Sequence, residues 1–151
     1  MSTPTRKNAF VEENVDIVRA SFDVVARRLN LDQPTTRISN MNFDLIYRGR
    51  VVGLHVVAEF SDFFVYASIF RVPADVVPNM LPTQDGEIRE IYLQQALDKL
   101  GIRHDKEDAE IRKMGGNAAN CRSMVTMLSS LVERTWAVIE AEADRLFTAS
   151  Q

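Results

Sequence analysis

Apolar positions recur along this chain with two different periods, and each change of period marks an element. Over residues 10–30, Val11, Val15, Val18, Phe22, Val25 and Leu29 fall at steps of three and four, one stripe of a helix. Valine dominates that stripe and lowers intrinsic helix propensity, so tertiary packing has to hold the helix. Pro34 bars its continuation. The period then drops to two. Met41, Phe43, Leu45 and Tyr47 alternate with Asn40, Asn42, Asp44 and Arg48, the pattern of a half-buried strand. Arg48-Gly49 reads as a two-residue hairpin loop with positive φ at Gly49. Such a loop pairs Tyr47 with Arg50, Leu45 with Val52, Phe43 with Leu54 and Met41 with Val56, and collects the apolar residues on one face. A second strand runs to Phe60, Ser61-Asp62 turns, and a third strand covers residues 63–72.

The third strand is apolar on both parities. Phe63, Val65, Ala67 and Ile69 share one face, and Phe64, Tyr66, Phe70 and Val72 the other. Its register stays open. A two-residue turn before it gathers Ile46, Val51, Val57, Tyr66 and Phe70 on the second sheet face and sets Gly53 against Phe70. An aromatic ring would then cover a strand glycine.

Pro73, Pro78 and Pro82 break the following segment into a loop, with one helical turn over 74–77. A helix is expected over 87–100, burying Ile88, Ile91, Tyr92 and Leu100, with Gly101 at its end. Asp105 resembles an N-cap, with Glu107 and Asp108 at the positive end of the helix dipole. Gly115-Gly116 interrupts that short helix, and Asn117 caps a last helix over 118–148. Cys121, Val125, Leu128, Val132, Trp136, Ile139, Ala143 and Leu146 form the stripe of this last helix. The expected fold is α+β: an N-terminal helix, a three-stranded antiparallel meander, then C-terminal helices packed on the sheet. Residues 1–9 read as a flexible N-terminus and residues 10–151 as one domain.

Charge narrows the function. The chain of 151 residues carries 18 basic and 21 acidic side chains, a net −3. Residues 51–100 hold seven acidic side chains against Arg71, Arg89 and Lys99, a net −4. No nucleic-acid partner is expected, because phosphate neutralisation needs surplus Lys and Arg. No membrane partner is expected either: the run over 63–70 is the longest apolar one and too short for a bilayer. The first ten residues lack the apolar stretch of a signal peptide. Cys121 stands alone on a helix stripe, so no intrachain disulfide forms, and a cytoplasmic location is expected.

No catalytic, cofactor or metal motif is present, and none of these is expected. His104 lies in His-Asp-Lys-Glu-Asp, whose adjacent side chains diverge on a forming helix, so a charged helix start explains it better than a metal. Gly115-Gly116-Asn117 lacks the strand and the Lys-Ser or Lys-Thr of a phosphate loop. Arg48 and Arg50 are solvated turn charges. The aromatics Phe60, Phe63, Phe64, Tyr66 and Phe70 lack the interleaved cations of a base-stacking platform. His55 and Glu59 sit mid-strand as a candidate polar pocket.

The helix stripe from Val11 to Leu29, the hairpins from Met41 to Val72, and Val72-Pro73 closing the third strand together resemble the type III secretion chaperone-like fold, including the related YbjN-type bacterial proteins. That resemblance implies a small acidic homodimer that binds other proteins without enzymatic chemistry. The leading expectation is therefore a non-enzymatic bacterial protein-binding module, a chaperone or regulatory adaptor. Its partners would be a second copy of itself and another protein. Its interface would be Ile46, Val51, Val57, Phe64, Tyr66 and Phe70, because large exposed apolar surface marks an interface. One alternative is a small-molecule binder or enzyme with a pocket between sheet and helices around His55, Glu59 and Tyr66. An immunity or antitoxin protein, suited by the acidic middle segment, is the other.

Overall fold

The computed structural model describes residues 6–39, 42–60, 63–72 and 90–147. The expected flexible stretch 1–9 falls mostly outside them, as do the Ser61-Asp62 turn, the loop with its helical turn at 74–77, and the Met41 pairing.

The fold is α+β, with an N-terminal helix, an antiparallel sheet and C-terminal helices. Helix α1 spans Arg6–Arg28, followed by β1 (Thr35–Ile38), β2 (Asn42–Tyr47), β3 (Val52–Glu59), β4 (Phe64–Arg71) and β5 (Glu90–Tyr92). Then come α2 (Leu93–Lys99), α3 (Asp105–Met114), a 3₁₀ turn (Ala118–Asn120), α4 (Cys121–Ala141) and α5 (Ala143–Phe147).

Among the described residues the sheet has five strands in sequential order, not the three expected. The expected three are β2, β3 and β4. Strand β1 is four residues of largely exposed Thr-Thr-Arg-Ile, with no apolar alternation to reveal it. Strand β5 is three residues long and runs straight into α2, so its period cannot be told from a helix start. Pairing of Ile91 with Ile69 makes it a strand. Of the helix expected over 87–100, Glu90–Tyr92 is strand and helix begins only at Leu93.

The first hairpin keeps the expected faces but not the expected register. Leu45 pairs with Val56 rather than Val52, and Tyr47 with Leu54 rather than Arg50. Each partner lies four positions further along, an even shift that leaves every side chain on the same face. Gly49 has no positive φ. Its requirement is space: a Cβ there would stand 2.3 Å from the Val52 carbonyl oxygen and 2.8 Å from Leu31 Cδ2. The second hairpin adopts the register of a two-residue turn, with Val57 opposite Tyr66 and Gly53 opposite Phe70.

One sheet face is the core. Phe43, Leu45 and Tyr47, then Leu54, Val56, Ala67 and Ile69, join Val18, Phe22 and Val25 of α1 and the α4 stripe, with Leu128 and Trp136, in one cluster. Helix α1 packs alongside α4, and α4 crosses β4. Tyr47 donates its hydroxyl to Asp23 Oδ1 at 2.7 Å, tying β2 to α1; burial and this carboxylate push its pKa up. Two helices end in Schellman motifs. After α1, Asn30 (φ 58) lets Leu31 N–H reach the Ala26 carbonyl at 2.9 Å. After α2, Gly101 (φ 69) lets Ile102 N–H reach the Leu97 carbonyl at 2.9 Å. The expected last helix is divided among the 3₁₀ turn, capped by Asn117 Oδ1 on Ala119 N–H, and α4 and α5. Among the described residues, no helix is long and apolar enough to cross a membrane.

Candidate functional site

The second sheet face carries the polar chemistry. Registers place Ile46, His55, Ser68 and Tyr92 in one row across β2 to β5. Asp44, Val57 and Tyr66 form the row on one side, and Gly53, Phe70 and Glu90 the row on the other. His55 is the centre. Its Nε2 meets Asp44 Oδ1 at 2.7 Å and its Nδ1 meets Glu90 Oε1 at 2.7 Å. The contact with Glu90 spans an intervening strand, and at the crossing point stands Ser68, the strand partner of both His55 and Tyr92. A small side chain there leaves the imidazole and the glutamate room to meet.

His55 is buried, and burial alone lowers its pKa. The hydrogen bonds to Glu90 and Asp44, and their charges, outweigh that loss, so the net shift is upward. A carboxylate on each nitrogen favours the doubly protonated imidazole, whose two N–H groups would both donate. The arrangement stabilises the charged form of this histidine, and both ring nitrogens are already engaged by carboxylates.

A cavity of about 390 Å³ lies over this triad. Asp44, His55 and Glu90 form its charged wall, Tyr66 and Tyr92 its aromatic wall, and Ser68 contributes a hydroxyl. Asn42 and Gln95 add amides at the rim. The ring centroids of Tyr66 and Tyr92 lie 5.8 Å apart, edge to face. Both rings also wall a second cavity of about 530 Å³ that includes Glu59, Phe64, Asp108 and Arg112. Tyr66 donates to Glu59 Oε1 at 3.3 Å, and burial together with the Glu59 charge pushes its phenol up to about 12.

The sequence-derived candidates divide sharply. His55, Glu59, Phe64 and Tyr66 converge on these cavities. Val57 lines the first but is itself 4% exposed. Ile46 (1%) and Phe70 (2%) are buried too, and all three lie outside the main core cluster. Phe70 lies over Gly53, where a Cβ would stand 2.1 Å from its Cζ. Val51 precedes β3 and is 44% exposed. Sequence reasoning missed Asp44, Ser68, Glu90 and Tyr92. Asp44 was legible in part, since strand alternation puts it on the face of Ile46. Glu90 was hidden by the helical reading of its segment.

His104 has a parallel arrangement. Its Nε2 meets Asp98 Oδ1 at 2.6 Å and its Nδ1 meets Asp108 Oδ2 at 2.5 Å. Burial lowers its pKa, and the bonds to Asp98 and Asp108 raise it more. It stands at the N-cap position of α3, where Asp105 was expected, and brackets α2 to α3. Cys121 is buried, which pushes its thiol up and leaves it unreactive. Among the described residues, no group of His, Cys, Asp and Glu side chains is arranged to hold a metal ion. No protein family, characterised protein or solved structure matches this chain.

Proposed function

We propose that the chain is a non-enzymatic small-molecule-binding protein whose site is the cavity over His55. The observation that carries this reading is a cavity of about 390 Å³ whose lining combines two tyrosine rings with a fixed carboxylate–imidazole–carboxylate triad. Small-ligand sites have this make-up: a concave, largely preformed space with a few well-placed polar groups. Two hydrogen bonds hold the imidazole in place before any ligand arrives, which lowers the ordering cost of binding. The adaptor reading needs a free apolar face, and Ile46, Val57 and Phe70 are already buried within the chain.

The test is NMR screening of the full-length ¹⁵N-labelled chain against a library of small polar fragments, run in parallel on Ser68→Leu. Fragments are expected to move the amides of His55, Ser68 and Tyr92 in the parent and not in the variant. Shifts confined to other surfaces, or equal in both proteins, would overturn the reading.

A further inference from the structure

We infer that the cavity over His55 takes an organic cation, a ligand bearing a protonated amine or a quaternary ammonium. This rests on the small-molecule reading above and names the ligand class. Three observations carry it.

The first is the charge count. Asp44 and Glu90 bring two negative charges to the cavity and His55 at most one positive, and among the described residues no Lys or Arg lines it. Beyond the shared aromatic wall, the second cavity adds Glu59, bonded to the Tyr66 hydroxyl, and Asp108 against one cation, Arg112. The walls therefore keep at least one uncompensated negative charge, which repels phosphates and carboxylates and attracts a cation.

The second is how the carboxylates are held. Each uses one oxygen on His55, at 2.7 Å in both cases. The imidazole fixes both carboxylates without neutralising both, so they are pre-positioned acceptors for ammonium N–H groups.

The third is the aromatic pair. Tyr66 and Tyr92 stand edge to face at 5.8 Å on the same wall, and Tyr92 is 52% exposed. A tyrosine face beside carboxylates is a recognised seat for ammonium groups, attracted by the ring quadrupole. The rings continue into the second cavity, where the Phe64 ring lies 6.4 Å from that of Tyr66, tilted by 32°. An apolar portion of the same ligand can lie along them.

The probes are choline and putrescine as cations, succinate as an anion and ribose as a neutral polyol, each titrated into the full-length ¹⁵N-labelled chain. Choline or putrescine is expected to move the His55, Ser68, Tyr92 and Gln95 amides saturably, while succinate and ribose do not. Tyr92→Leu should weaken the cation by about fivefold or more, and Tyr92→Phe, which keeps the ring, should not. Asp44→Asn should weaken it by about tenfold. Tyr92 is half-exposed, so its variants keep the test valid if Asp44→Asn fails to fold. Binding of succinate or ribose at these amides without the cations would overturn the cation inference and leave the pocket reading standing. Cation affinity unchanged by Tyr92→Leu would overturn it as well. Silence from all four probes would remove both.

Discussion

His55 on β3 and Glu90 on β5 meet at 2.7 Å across an intervening strand. Ser68 stands beside His55 in the same row on that strand, and its small side chain leaves the two groups room to meet. The second sheet face owes its chemistry to that contact, because it clamps a strand histidine between carboxylates on both sides.

Ser68→Leu is expected to separate His55 from Glu90 and fill the cavity. The His55 pKa, read from its ring proton shifts, should fall toward the ordinary histidine value, since one of its two hydrogen-bond partners is lost. An unchanged titration would mean that the Glu90 contact contributes nothing.

Stability should depend on pH through both histidines. Each has a folded-state pKa above its unfolded value. Their contribution is therefore fully present below about pH 6.5 and is lost as pH rises through the folded pKa values. Chemical denaturation from pH 6 upward should show this decline. The double variant His55→Gln, His104→Gln should flatten it, and a parent protein whose stability rises across that range would contradict the account.

Two glycines should fail for different reasons. Gly53→Ala keeps an allowed backbone but drives a Cβ to within 2.1 Å of the Phe70 ring. Overpacking should cost about 1–3 kcal/mol, and Phe70→Leu in the same chain should recover part of it. Gly101→Ala meets nothing within 4 Å. Its cost comes from φ 69 alone and should be about 1 kcal/mol, with no rescue by any neighbour. Urea denaturation of the three variants separates the two cases.

Tyr47→Phe removes the hydroxyl that donates to Asp23 and leaves the buried ring in place. A loss of about 0.5–1.5 kcal/mol is expected. Asp23 keeps its contact with Arg19 at 3.5 Å, so the variant does not strand a charge. A much larger loss would show that the ring itself had shifted.

Periodicity by itself determined the helix stripes and the inward face of β2 and β3, and it placed Phe70 over Gly53 only on the condition of a two-residue turn before β4. These depend on spacing within one element, or on a register that a single turn length sets. It could not determine the first hairpin's register, because an even shift leaves every face intact and makes two registers indistinguishable by pattern. Nor could it find β5, since three residues are too few to carry a period. Only the tertiary structure decided the site. Asp44 and His55 lie 11 residues apart, and His55 and Glu90 lie 35 apart. What brings them together is the stacking of strand rows on a sheet edge that β5 completes. The second face was identified as the place to look from its apolar third strand alone. Folding buried three of its apolar residues and left its polar ones around a cavity, because burial is set by which elements pack together and not by the hydropathy of one strand.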